Sequence, residues 1–299
     1  MLSRTVKWNR RLPMRNRELS FWLFLTPVLL SLLLVVIVPL LYGTVYSFTN
    51  WNGLKATEFL GFQNYVDLFQ EEEFRASLWF TIKFTIVSVI LLNVLGLGLA
   101  LLVTQKFKTN NLLRTIFFMP NLIGGLILGF IWQFIFISAF SSLGELIGAE
   151  GLQGWLSTTQ TGFWGLVILS SWQWAGYIMI IYIAYLENIP ADLIEAAEID
   201  GANAFQRFKN ITFPLVAPAF TVSMFLTISH SFKIYDQNLS LTGGGPFNST
   251  QMVAMEIYKT AFNESQMALA QSKGIIFLIV VAVISLTQTY YNKKREVDL

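Results

Sequence analysis

Long apolar stretches separated by short polar intervals dominate the chain. Six of them reach the roughly 20 residues that cross a hydrocarbon core, at about Leu19–Phe48, Leu78–Thr104, Leu112–Phe136, Phe163–Leu186, Ile211–Phe232 and Ala268–Tyr290. Each predicts a membrane-spanning helix, because lipid offers a backbone no hydrogen-bond partners outside its own segment. Pro39 in the first stretch and Pro120, Gly124, Gly125 and Gly129 in the third predict kinks. The polar interval between the fourth and fifth stretches carries a helix pattern of its own. Pro190 suits a helix start and Asp192 complements the positive end of the helix dipole. Leu193, Ile194, Ala197 and Ile199 give one side an apolar stripe, and Gly201 can close the helix in the left-handed conformation. A second short helix is expected from Phe205 to Phe208.

Composition turns this pattern into a class. Hydrophobic residues make up 54% and charged residues 13% of the chain, against about 25% charged in soluble domains. The fold class is therefore all-α integral membrane. The charges also orient it. Arg4, Lys7, Arg10, Arg11, Arg15 and Arg17 precede the first span; Lys106, Lys108 and Arg114 follow the second; Arg207 and Lys209 follow the fourth; Lys293, Lys294 and Arg295 follow the sixth. By the positive-inside rule these segments and both termini are cytoplasmic. The remaining intervals are rich in acids, with Glu58, Asp67 and Glu71 to Glu73, then Glu145 and Glu150, then Asp236, Glu256 and Glu264. Residues 1–18 read as a basic tail, 19–291 as one membrane domain with a loop at 188–210, and 292–299 as a second tail. The first apolar run is too long for a signal peptide. Lys83 and Lys273 are expected to snorkel to the outer interface.

Catalytic patterns are absent. There is no G-x-x-x-x-G-K-[ST], so the chain does not hold ATP in a P-loop of its own. The single histidine, His230, excludes H-E-x-x-H and multi-histidine metal sites, and zero cysteines exclude thiol chemistry. A net charge of +2 gives no reason for a nucleic-acid partner. An ion-coupled secondary transporter or channel needs intramembrane carboxylates, and here Glu187 and Asp236 fall at span ends.

Midway along the fourth span, Ser170, Gln173, Trp174 and Tyr177 form a polar and aromatic cluster, with Gln173 and Tyr177 on one helix face. His230, Ser231, Tyr235 and Asp236 lie towards the outer end of the fifth. Aromatic platforms with a few hydroxyl and amide groups fit sugars, which present apolar C–H faces and many hydroxyls; helix packing and interfacial anchoring would use the same residues. After the fifth span comes Thr242-Gly243-Gly244-Gly245-Pro246, a turn in which glycine permits positive φ and proline stiffens the exit.

The spacing of the polar loop carries a resemblance. Glu195-Ala196-Ala197, then three residues ending at Asp200, then Gly201, then nine residues and Ile211-x-Phe213-Pro214, resembles the coupling loop of permease subunits in binding-protein-dependent ATP-binding-cassette importers. The T-G-G-G-P turn and the stretch SFTNWNGLKATEFLGFQNY are similar to the sugar-permease branch related to the larger maltose-transporter subunit, although the interval from Thr49 to Ser77 is too short for that protein's large insertion. The resemblance implies a type I importer permease fold, with Glu195, Ala196, Ala197, Asp200, Gly201, Ile211 and Pro214 coupling to the ATPase. It implies a second related permease, two ATPase subunits that hold the ATP and Mg, an extracytoplasmic solute-binding protein touching Thr242 to Pro246, a carbohydrate substrate, and a bacterial or archaeal cytoplasmic membrane. No cofactor or metal is expected in this chain.

Overall fold

The computed structural model describes residues 14–55, 58–105 and 109–294. Among these are six helices long and apolar enough to cross a membrane: α1 (Glu18–Tyr46), α3 (Glu72–Val103), α5 (Gly125–Ile147), α6 (Thr159–Leu186), α8 (Ala204–Phe232) and α11 (Met267–Lys293). Shorter helices join them: α2 (Gln63–Gln70), α4 (Asn110–Phe118), α7 (Ala191–Ile199), α9 (Asp236–Leu241) and α10 (Val253–Tyr258), which continues through a wide turn at Lys259–Asn263. The basic residues Arg4 to Arg11, Lys106, Lys108 and Arg295 lie outside the described residues.

Local chemistry sets the ends. Thr158 caps α6 in a reciprocal box with Thr161, and Asn203 does the same for α8 with Gln206, each pair satisfying two otherwise free backbone donors. Glu72 and Glu73 in the first turn of α3 favour a start six residues ahead of Leu78. In α1 the expected disturbance is a π-helical turn at Leu33–Ile37, ending just before Pro39, whose missing N–H and ring cannot fit a regular turn. None of the most apolar stretch of α1 is buried within the chain.

The third span departs from one continuous helix over Leu112–Phe136. It is α4, a tight turn at Met119–Leu122 and then α5, broken where Pro120 and Gly124 stand. Its contacts with α6 give its depth. Arg114 pairs with Glu187 at 2.5 Å; the Phe117 carbonyl lies against Gly176; Ile123 accepts a bond from Gln173; and Phe136 reaches Gly165. At Gly176 a Cβ would lie 1.9 Å from the Phe117 oxygen, so this crossing requires glycine, the usual means of close helix approach in membranes. Residues 112–136 thus cover the depth of α6, with the break opposite its middle.

The fifth span is broken as well. Ring stacking of His230 on Trp174 puts the end of α8 level with the middle of α6, and the bundle is completed by α9. In α9, Gln237 meets Gln173, Ser240 faces Gly129, and Thr242 follows beside Gly162. Asp236 is therefore at mid-depth beside Gly125, and its placement at a span end is corrected. A chain leaving α8 at Phe232 still has half the bundle to climb. The buried core lies between α3, α5, α6 and α9 in one half, with Phe84, Leu128, Leu166 and Leu241, and between α3, α6 and α8 in the other, with Leu92, Ile178, Tyr182 and Val216.

Candidate functional site

Three features recur along the bundle axis: an exposed hairpin at one end, a polar and aromatic patch at the two helix breaks, and a pinned glycine turn at the other end. The hairpin is α7 with the start of α8. Pro190 caps α7 from just outside it, and Gly201 adopts φ +78° as the closing residue. Ala202 N–H then bonds the Ala197 carbonyl at 2.9 Å. The second helix does not stop at Phe208: it passes through a wide turn at Phe208–Thr212 into the membrane, so the loop and the fifth span form one rod. Glu195, Ala196, Asp200 and Gly201 are exposed, while Ala197, Ile211 and Pro214 are half-buried. Ile199 is 87% and Phe205 71% exposed, which gives the polar hairpin two apolar side chains at its surface.

The central patch is made where α4–α5 and α8–α9 are interrupted. Gln173 donates to the Ile123 carbonyl at 2.9 Å and accepts from Gln237 at 2.9 Å. One buried amide thereby ties α6 to both breaks, and it is satisfied by protein, as the packing reading of this residue requires. Trp174 stacks on His230 with centroids 3.6 Å apart and 23° between planes, and meets Tyr177 edge-on at 5.2 Å. His230 Nε2 and the hydroxyls of Ser170, Ser171 and Ser231 are buried with no partner among the described residues. Buried polar atoms without partners are uncommon in proteins. Tyr235 turns away from this group to stack near Tyr258 at 5.3 Å, and Asp236 is exposed. The expected cluster is thus two neighbouring groups.

The glycine turn is held rigidly. Asn238 donates to the Thr250 carbonyl at 2.8 Å and to Thr242 Oγ1 at 3.0 Å, and accepts from Met252 N–H at 3.0 Å. Thr250 Oγ1 donates to the Gly245 carbonyl at 2.6 Å. Positive φ occurs at Gly243 and Gly244 but not Gly245. Phe247, just beyond Pro246, is fully exposed.

Two polar groups escaped the sequence reading. Asn93, Tyr182, Ser223 and Thr227 join α3, α6 and α8: Tyr182 OH and Ser223 Oγ both donate to Asn93 Oδ1, at 2.9 and 2.5 Å, and Asn93 Nδ2 donates to Thr227 at 3.2 Å. A single Asn in an apolar run was the available signal. The second group overturns the expectation for Lys273. Its side chain does not snorkel; it is 1% exposed, 2.8 Å from Glu256 and 2.6 Å from Glu71, and donates to Thr260 at 2.7 Å. The carboxylate of Glu256, itself buried, makes remaining in the interior favourable, because a charge in apolar surroundings is stable only when paired and hydrogen-bonded. Lys83 does lie exposed, its ammonium 5.7 Å from the Trp79 ring.

Broken helices meeting at mid-depth, with polar groups at the breaks, are the arrangement found in membrane transport proteins. Residues 92–297 match the family of binding-protein-dependent transport system inner membrane components, and the chain belongs to that family. It is 54% identical over 279 residues to the probable starch degradation products transport system permease protein AmyD of Thermoanaerobacterium thermosulfurigenes, covering 93% of this chain and 96% of that one. It is 30% identical to the trehalose/maltose transport system permease protein MalF of Thermococcus litoralis, covering 95% and 96%. Among solved structures, a bacterial ABC transporter that imports the acidic polysaccharide alginate superimposes with a TM-score of 0.80 at 22% identity, covering 93% of this chain and 96% of that one.

Proposed function

We propose that this chain is the permease subunit of an ATP-driven importer that carries a neutral oligosaccharide of the glucan type through the cytoplasmic membrane. The observation that carries the mechanism is the Glu195 hairpin: α7 and a tight turn at Gly201, with Ile199 and Phe205 exposed, lead into α8, which runs to Phe232 beside the central patch. A push on the hairpin is passed along α8, through the wide turn at Phe208–Thr212 and past Pro218, to the patch. The names of the relatives that cover the chain over almost its full length support a sugar as cargo.

In this reading the hairpin and both termini face the cytoplasm, where two ATPase subunits bind ATP and Mg, and Glu195 pairs with a cationic group in the socket. A second, related permease covers the exposed apolar flanks of the bundle and supplies the other wall of the pathway. The Gly243–Gly245 turn faces outward and receives a solute-binding protein. Trp174 and Tyr177 set their rings against the C–H faces of the sugar, and the buried His230 Nε2, Ser170 and Ser231 hydroxyls meet its hydroxyls once the helix breaks part. Closure of the ATPases alternates the access of this patch between the two sides.

The test is at Gly201. A Cβ there would meet nothing within 4 Å in this chain, but φ +78° strains any side chain at this position, so the exposed Glu195→Lys reports on the partner more cleanly and Gly201→Asp is compared only at wild-type permease levels. Membranes with wild-type permease levels should lose co-purifying ATPase and sugar uptake. Full uptake by the Gly201→Asp complex would refute the docking assignment.

A further inference from the structure

The face of α10 opposite the Lys273 ion pair has no role in the pathway described so far. On its inner side Glu256 and Thr260 are fixed by Lys273, Gln251 donates to Glu256, and Lys259 is tied to Glu73 at 2.8 Å. Charge-assisted bonds from three directions hold the segment in one orientation. What they hold outward is a run of aromatic rings. Tyr235, at mid-depth beside Asp236, lies 5.3 Å from Tyr258, which lies 4.8 Å from Phe262. The rings border a cavity of about 380 Å³ closed on the other side by Met267, Gln271 and Gly274 of α11. Tyr258 is 46% and Phe262 61% exposed.

We propose that Tyr235, Tyr258 and Phe262 form an outer subsite that carries the trailing pyranose units of an oligosaccharide while its leading unit is at Trp174 and His230. The inference rests on the carbohydrate reading above and extends it to chain length. Three features select a sugar chain over a lipid tail as occupant. The ring-to-ring distances are close to the length of one pyranose unit, so each ring can meet the C–H face of one sugar. Successive rings are tilted by 47° and 41°, and Tyr258 and Phe262 are well exposed, so their faces are open to a ligand and not stacked flat on one another. The wall also carries polar atoms an acyl chain would leave unpaired: among the described residues the hydroxyls of Tyr235 and Tyr258 and the amide of Gln271 make no side-chain hydrogen bond. Apolar walls with a few convergent polar groups are the usual make-up of small-molecule sites. The ladder also leads in the required direction, from the helix break at Lys233–Tyr235 towards the end of the bundle that bears the glycine turn.

The experiment uses the complete transporter in proteoliposomes with its loaded binding protein, and compares uptake of maltose with that of maltohexaose. Tyr258→Ala and Phe262→Ala together should raise the KM for maltohexaose by about tenfold while maltose changes less than about twofold, with ATPase stimulation by the binding protein kept. Tyr258→Phe, which keeps the ring, should lie close to wild type. Equal loss for both sugars, or no loss for either, overturns the subsite and leaves the carrier assignment standing. Efficient crosslinking of Phe262→Cys to the second permease during turnover also overturns it, because the face would then be a protein interface. A wild-type complex that moves neither sugar overturns the glucan reading, and the subsite with it.

Discussion

Removing the Lys273 ammonium should expose how strongly the buried ion pair holds the α10 end of the bundle. Lys273→Met keeps most of the side-chain volume and leaves Glu256, which is 1% exposed, facing Glu71 with no cation between them. Deleting one member of a buried pair typically costs about 3–5 kcal/mol, because the survivor is buried and uncompensated. The low end applies here, since Gln251 and Thr260 still bond Glu256 and Glu71 is partly solvated. About 3 kcal/mol corresponds to a melting temperature lower by roughly 6–12 °C in a chain of this size. Adding Glu256→Gln removes the orphaned charge and should recover more than half of the loss. The assay is unfolding in mixed detergent micelles for the wild type, both single variants and the double variant, read as a double-mutant cycle. Strict additivity of the two changes, or a Lys273→Met protein as stable as wild type, would refute the pairing as the reason Lys273 is inside.

Gly176→Ala puts a methyl where the Phe117 oxygen already sits and should separate α4 from α6; a cost of about 1–3 kcal/mol is expected for overpacking, measured by the same unfolding assay, whereas Gly98→Ala, with nothing within 4 Å, should cost far less. Asn238→Ala frees the Thr250 carbonyl and the Met252 N–H; in the assembled complex basal ATPase should persist while its stimulation by loaded binding protein falls, and faster hydrogen exchange at the Met252 amide should accompany the change.

The sequence alone carried the class, the spans and the hairpin. Those features depend on short-range rules: a run of apolar residues has the length of a bilayer, Pro190 and Gly201 bracket a helix whatever surrounds it, and glycines at Gly243 and Gly244 allow turns that a β-carbon resists. Capping at Thr158 and Asn203 was equally local and could have been read from their spacing to Thr161 and Gln206. The rest depended on which residues meet across distance. A window of hydropathy has no means of showing that Pro120 and the Lys233–Tyr235 turn lie level with each other, or that Asp236 is consequently at mid-depth. Gln173 reads as a pathway residue from its chemistry, and only packing brings Ile123 and Gln237 to its two ends. Lys273 shows the physical reason most plainly. A lone lysine near a span end should reach for water, because burying an unpaired ammonium is prohibitive; that rule fails once folding carries Glu256 and Glu71 to within hydrogen-bond distance, and only the tertiary structure decides whether they arrive.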